Sequence, residues 1–253
     1  MNVHLLGYTG SVQHEDSGNV SMVVTHDRTA ILIDVSGAPV MELNKAGIEL
    51  RDLTMVLITH AHIDHIYALP SLLHQLWLTG RSESLVVLGN RFTIQKAREL
   101  CDVFMLEQKK RMFQIVREVL EEGVYPGTLG SLRLSVFPVP HGVPAIGCAF
   151  EADYRKFVYF ADCTSNFTYP AIAYDAHLLI HEAGGLTSDE PALAEKGHSS
   201  ARQAALAAQT LHAGSLVLCH LPERFSCYPE MIAEAKAVFE HTQLPELYKP
   251  YEV

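Results

Sequence analysis

The segment Thr59-His60-Ala61-His62-Ile63-Asp64-His65 places three imidazoles and a carboxylate directly after the apolar run MVLI. On extended backbone the side chains alternate, so His60 and His62 point to the same side and can reach one cation. Asp64 and His65 follow where the chain turns into a helix, and they can face a second cation. Such a polar cluster at a strand end would be destabilising without metal ions or other partners. The segment therefore predicts two metal ions about 3.5–4 Å apart, with a bridging hydroxide as nucleophile.

Further candidate ligands follow other apolar runs, each at the exit of a predicted strand. His141 follows VFPVP, Asp162 follows FVYFA and His220 follows LVLC. The predicted ligand sets are His60, His62 and His141 for one ion and Asp64, His65 and His220 for the other, with Asp162 shared by both. Imidazole and carboxylate ligands without thiolate suit zinc, and they also bind manganese or iron.

Short strands rich in Val, Ile and Leu alternate with helical patterns along the whole chain, which predicts a layered α/β domain with helices covering the sheets. The helical patterns cover residues 39–46, 66–78, 93–121, 201–212 and 229–241. Without internal repeats or a linker, residues 1–253 are predicted to form a single hydrolase domain. A helical insertion is predicted at about residues 91–122, and it contains the basic cluster Lys109-Lys110-Arg111. An apolar helical stripe packs on the sheet by default, but it could also cover the active site or form a homodimer contact.

The composition argues for a small substrate. The 253 residues include 19 Lys and Arg against 29 Asp and Glu, a formal net charge of −10. Excess negative charge repels nucleic-acid phosphates, which argues against long nucleic acid as a partner. Five cysteines at irregular spacing give no disulfide framework, and no apolar run approaches the roughly 20 residues of a membrane span. Together with an amino terminus unlike a secretory signal, these features predict a cytoplasmic protein without membrane contact.

The motif HxHxDH at His60–His65, preceded by Asp34 and followed by His141, Asp162 and His220, resembles the metallo-β-lactamase superfamily. This resemblance implies an αββα sandwich, in which two β-sheets are flanked by helices and a dinuclear metal centre lies between them. Three further segments are similar to the tRNase Z-like phosphodiesterase branch of that superfamily: Gly18-Asn19-Val20-Ser21, Gly197-His198-Ser199-Ser200 and Cys219-His220-Leu221-Pro222-Glu223-Arg224-Phe225.

The resemblance also implies roles for individual residues. Asp64, Glu182 and His198 would be catalytic: Glu182 orients His198, which donates a proton or binds the scissile phosphate. Asp34 would accept a hydrogen bond from a metal-binding histidine or from the motif backbone. Arg224 either contacts a substrate phosphate or is a solvated loop arginine.

One family feature is missing. In bacterial tRNase Z a long arm that grips tRNA lies between the motifs that correspond here to His141 and Asp162, but this interval is short and already holds a predicted strand pair. The sequence therefore predicts a dinuclear metal-dependent phosphodiesterase that acts on a small diester or a short oligonucleotide. Thioester or lactone hydrolysis and tRNA 3′-processing endoribonuclease activity are the enzymatic alternatives. A non-catalytic metal-binding protein is disfavoured, because all seven ligand positions are filled.

Overall fold

The computed structural model describes residues 1–253 and contains two seven-stranded sheets. The first sheet has the order β14-β1-β2-β3-β4-β5-β6 and the second has the order β13-β12-β11-β10-β9-β8-β7. In chain order the strands are β1 (Asn2–Gly7), β2 (Ser21–His26), β3 (Thr29–Ile33), β4 (Leu53–Leu57), β5 (Leu85–Gly89), β6 (Ile115–Val119), β7 (Gly123–Val124), β8 (Arg133–Val139), β9 (Ala145–Ala152), β10 (Arg155–Phe160), β11 (Leu178–Glu182), β12 (Leu216–Cys219), β13 (Thr242–Gln243) and β14 (Pro250–Glu252).

The two sheets share one pattern of pairing. In each, four strands joined by antiparallel pairings are continued by three strands that add in parallel; the parallel pairs are β3 to β6 in the first sheet and β10 to β13 in the second. Parallel neighbours need crossover connections, which here run largely through helices. The carboxyl ends of these parallel strands are where polar loops collect.

The chain forms seven α-helices. They are α1 (Pro39–Lys45), α2 (Ile63–Ile66), α3 (Leu69–Leu78), α4 (Arg91–Val103), α5 (Glu190–Lys196), α6 (Ala201–Thr210) and α7 (Tyr228–Val238). A buried apolar cluster between the sheets draws on both, from Ile31 in one to Phe157 in the other. Two outer clusters join the first sheet to α1, α3 and α4 and the second sheet to α6 and α7. The predicted αββα sandwich is therefore confirmed. No helix is both long enough and apolar enough to span a bilayer.

The helical insertion predicted at about residues 91–122 is wrong in its second half. Helix α4 ends at Val103, and Ile115–Val119 forms β6, which pairs in parallel with β5. The segment is the crossover between two adjacent strands of the sheet. Its apolar residues Ile94, Ala97 and Cys101 are buried against the sheet, as expected for an apolar helical stripe. The helix predicted over residues 66–78 is likewise divided: α2 ends at Ile66, and α3 begins at Leu69 with Pro70 in its first turn.

Candidate metal centre

The candidate site residues converge on one edge of the sandwich from the ends of both sheets. Loops after strands of the first sheet supply Asp34 and the segment His60–His65, and loops after strands of the second sheet supply His141, Asp162 and His220. An isolated β-bridge between Thr9 and Leu221 ties the two sheets together beside these loops. The arrangement explains why residues far apart in sequence meet.

The first ligand group consists of His60, His62, His141 and Asp162. Nδ1 of His62 lies 3.1 Å from Nε2 of His60 and 3.0 Å from Nε2 of His141. Oδ2 of Asp162 lies 3.7 Å from the same nitrogen of His60 and 3.9 Å from that of His141. Three imidazole nitrogens and a carboxylate oxygen therefore face one small space.

The second group consists of Asp64, His65 and His220. Oδ2 of Asp64 lies 3.6 Å from Nε2 of His65 and 3.5 Å from Nε2 of His220. Oδ2 of Asp162 lies 3.5 Å and 3.1 Å from these same two nitrogens. Asp162 thus borders both groups, which is the position predicted for a shared ligand.

The chemistry of the donor set fits divalent cations. Nε2 of His65, Nε2 of His220 and Oδ1 of Asp162 are buried and make no hydrogen bond, although an unsatisfied buried polar atom costs about 1–3 kcal/mol. Ligands of a tetrahedral zinc ion with Zn–N bonds of about 2.0–2.1 Å stand about 3.3 Å apart, which matches the separations within both groups. A cation held by His65 and His220 would satisfy the Nε2 atoms of both rings.

Hydrogen bonds on the far side of the rings orient the imidazoles. His65 Nδ1 donates to Asp34 at 2.8 Å, and His141 Nδ1 donates to the carbonyl of Gly197 at 2.9 Å. Each leaves the Nε2 lone pair directed into the site, as metal-binding histidines require. Asp34 also accepts a hydrogen bond of 2.8 Å from the backbone N–H of Thr59, so it makes both contacts anticipated for it.

Burial and charge give His60 and Asp162 the protonation states that bind metal. Burial, with a contribution from the charge on His65, holds the pKa of His60 well below its usual value. For Asp162 burial alone would raise the pKa, but His220, His65 and His60 outweigh it and lower the pKa well below the usual range. A neutral imidazole and an ionised carboxylate are the forms that coordinate cations.

Beside the ligand groups, His198 is held by Glu182. Nδ1 of His198 donates to both carboxylate oxygens, at 3.2 Å and 3.1 Å, and Oε1 also accepts a hydrogen bond of 2.5 Å from the backbone N–H of Cys163. Burial by itself lowers the pKa of His198, but the hydrogen bond and charge of Glu182 outweigh it and raise the pKa to about 9. The ring stacks on His220 with centroids 5.2 Å apart.

A cleft of about 210 Å³ opens beside this pair. Its walls include Ser11, Lys196, His198, His220 and Glu223. Arg224, the candidate phosphate contact, is outside this cleft, because its guanidinium donates to Oδ2 of Asp189 at 2.8 Å.

Three contributors to the site were not identified from the sequence. Ser11 donates to Oδ2 of Asp64 at 3.0 Å, and Gly197 supplies the carbonyl that orients His141. Gly10 lies so close to His220 that an added Cβ would be 3.0–3.4 Å from the ring. All three act through contacts with residues that are distant in sequence. Only Gly197 lies in a segment, Gly197-His198-Ser199-Ser200, that resembles the tRNase Z-like branch.

A family model, the beta-lactamase superfamily domain, matches residues 29–221. The chain belongs to the metallo-β-lactamase superfamily. The matched range includes every proposed metal ligand as well as Glu182 and His198. A fold of this kind implies divalent metal ions.

Comparisons over the full length point to the tRNase Z-like branch of the superfamily. The chain is 25% identical to ribonuclease Z of Methanothermobacter thermautotrophicus over 97% of this chain and 94% of that protein. The structure is similar to human tRNase Z, short form, with a TM-score of 0.81, 21% identity and coverage of 100% of this chain and 99% of the other. A diphosphatase from the PhnP family superposes with a TM-score of 0.77, 16% identity and coverage of 100% and 97%. The predictions of the superfamily, of its tRNase Z-like branch and of a metal-dependent hydrolase are confirmed.

Proposed function

We propose that this protein is a dinuclear metal-dependent phosphodiesterase that acts on small diesters or short oligonucleotides. The observation that carries the proposal is the His198–Glu182 pair: Nδ1 of His198 lies 3.9 Å from Oδ2 of Asp162, and His198 lines the open cleft. Ester hydrolysis on an activated acyl group needs no such acid, whereas a phosphodiester releases an alkoxide that does.

His60, His62 and His141 would hold one cation, and Asp64, His65 and His220 would hold the other, with Asp162 between them. When bound, the two cations would supply a hydroxide nucleophile at neutral pH and stabilise charge on the phosphate oxygens. Zinc is the proposed metal because imidazole and carboxylate ligands suit it, but the same donors accept manganese or iron. Elemental analysis of purified protein identifies the ion, and two ions per chain are expected.

The chain's own residues supply the proton. Glu182 is fully buried and bonded to His198 through both oxygens. Its negative charge favours the doubly protonated ring, which can give a proton to the leaving oxygen. Glu182 therefore acts by orienting and charging His198, and Asp64 acts as a ligand next to the reacting group.

The test uses the dinucleotide TpT, whose leaving alkoxide needs a proton, with the metal-loaded protein. His198→Ala should reduce turnover by about 10²–10⁴-fold, the usual contribution of general acid catalysis, while the bound metal stays at the wild-type level. Wild-type turnover in this variant would remove His198 from the mechanism. Panels of thioesters and lactones test the alternative reaction on the same fold. Rapid hydrolysis of a thioester or lactone, together with no hydrolysis of diesters, would overturn the proposal.

Processing of tRNA 3′ ends is the less favoured reaction. In place of an arm between His141 and Asp162, the chain forms the tight β9–β10 hairpin, in which Ala152 pairs with Arg155. The short hairpin in place of the arm and the net charge of −10 both argue for poor binding of precursor tRNA. Measurement of kcat/KM for precursor tRNA and for small diesters shows which of the two substrate classes the enzyme prefers.

We also propose that the protein forms a homodimer and is cytoplasmic. Val103, Phe104 and Met105 are exposed at the end of α4 and offer an apolar surface for a homodimer. All five cysteines are free and buried, which suits residence in a reducing cytoplasm. Light scattering on the Phe104→Glu variant and the wild type tests the dimer.

A further inference from the structure

The cleft beside His198 contains one lysine or arginine side chain, that of Lys196. Lys196 is the last residue of α5, and the chain turns through the left-handed Gly197, with a φ of 81°, to reach His198. The carbonyl of Gly197 accepts the hydrogen bond from His141, and the N–H of His198 donates to the carbonyl of Leu193. The turn at Gly197 that positions His198, the proposed acid, therefore also fixes the backbone position of Lys196.

Lys196 differs from the nearby Arg224 in having no anionic partner. Arg224 is paired with Asp189 at 2.8 Å, whereas no carboxylate lies within 4.0 Å of the Lys196 ammonium. The amine is exposed and free to bind a ligand. In a chain with a net charge of −10, an unpaired cation in the lining of the cleft is a local exception to the overall field.

Glu223 faces the same cleft and carries the opposite charge. A negatively charged group on a bound molecule is repelled by Glu223 and attracted by Lys196, so the two walls orient it. The scissile phosphate belongs at the ligand groups near Asp162, so a second anionic group of the same substrate can occupy the part of the cleft lined by Lys196.

The geometry points to Lys196 as a specificity residue that binds a phosphate monoester carried by the substrate in addition to the scissile diester. This inference rests on the proposed phosphodiesterase function and narrows its substrate class to small phosphodiesters with a terminal phosphate. A lysine serves as a point charge for such a group, without demanding a bidentate geometry.

The experiment compares three dinucleotides on the metal-loaded protein: TpT without a terminal phosphate, and the same dinucleotide phosphorylated at its 5′ end or at its 3′ end. In the wild type, kcat/KM for one phosphorylated form should exceed that for TpT by about tenfold, mainly through KM, which is the effect of a charged hydrogen bond of ordinary strength. Lys196→Gln should bring this ratio close to one, and Lys196→Arg should keep most of it.

Lys236 is a matched control because it also lies in the last turn of an exposed helix, α7, and lacks an ion pair. Lys236→Gln should leave the ratio at the wild-type value. If Lys196 only stabilised its helix end, Lys196→Gln would lower the melting temperature and leave the ratio unchanged, and this result would overturn the inference. A wild-type ratio near one would do the same. Failure to hydrolyse any of the three dinucleotides would instead count against the phosphodiesterase function itself.

Discussion

The hydroxyl of Ser11 donates a hydrogen bond of 3.0 Å to Oδ2 of Asp64. The same loop places Gly10 against the ring of His220. The buried side chain of Asn19 fixes the loop by donating to the carbonyl of Gly10 at 2.6 Å, and the N–H of Gly10 donates to the carbonyl of Leu221 at 2.9 Å. The segment between β1 and β2 therefore holds two of the three residues of the second ligand group.

Ser11→Ala should weaken binding of the second cation more than that of the first. Loss of a hydrogen bond that orients a ligand typically costs 10–100-fold in metal affinity, and Ser11 contacts Asp64 but none of His60, His62 and His141. Titration of metal-free protein with zinc should show one affinity near the wild-type value and one about tenfold weaker. Ser11→Thr keeps the hydroxyl and should restore binding, while Ser82→Ala changes an exposed serine far from the site. Two unaltered affinities would refute the role of Ser11.

Glu182→Gln should reduce turnover while the metal content stays unchanged. Glutamine keeps an oxygen that can accept from the N–H of Cys163, but it removes the negative charge that favours protonated His198. We expect kcat for the dinucleotide TpT, which releases an alkoxide, to fall by at least about tenfold, within the range of a general acid contribution. Combining Glu182→Gln with His198→Ala should add little to the loss from His198→Ala alone. Additive losses would show that Glu182 acts elsewhere.

Removal of the metal ions should destabilise the fold. A ligand that binds only the folded state at about 1,000 times its Kd contributes about 4 kcal/mol, and the donors it releases include buried His65 and Asp162. Denaturant titration with and without EDTA measures the difference, and added zinc should reverse it. The His62→Ala variant serves as the control, since weaker metal binding should shrink the EDTA effect. An identical unfolding curve in EDTA would argue that the site is not metal-loaded.

The sequence located the site because its ligands carry a local signal. His60, His141, Asp162 and His220 each interrupt an apolar run where a buried strand ends, and the edge of a sheet brings such positions together. Ser11 gives no such signal, because its contact with Asp64 depends on how the loop after β1 pairs with Leu221 at the end of the second sheet. Gly197 acts through a backbone carbonyl, which any residue would carry.

The wrong prediction of a helix over the residues of β6 has a similar cause. The residues of β6, IVREV, are only half-buried because the strand lies at the sheet edge. Their strand pattern is therefore weak, and the helical spacing of apolar residues in the same segment favoured the prediction of a helix. Strand β9, AIGCAFEA, belongs to the strand pair predicted between His141 and Asp162, and Gly147 is required there because an added Cβ would clash with Phe137 and the backbone of Tyr159.

His181 makes the stability of the fold depend on pH. His181 belongs to β11 and its side chain is fully buried; Nδ1 donates to the carbonyl of Glu182 at 2.8 Å and the ring packs on Phe160. Burial lowers its pKa despite that hydrogen bond and the charge of Glu182. In the unfolded chain the pKa is about 6.5, so below that pH the unfolded state binds more protons and the stability falls.

The full contribution of His181 is therefore present above about pH 6.5 and is lost as the pH drops toward its lower folded value, by at most about 1.4 kcal/mol per pH unit. The measurement is the free energy of unfolding between pH 7.5 and 5 in EDTA, which removes the contribution of bound metal. His181→Gln cannot take up the proton and still offers an amide donor, so its stability should fall less steeply than that of the wild type. His212→Gln, at an exposed position, should follow the wild-type slope. Equal slopes for the wild type and His181→Gln would show that His181 takes up protons equally in the folded and unfolded states, and would contradict the prediction.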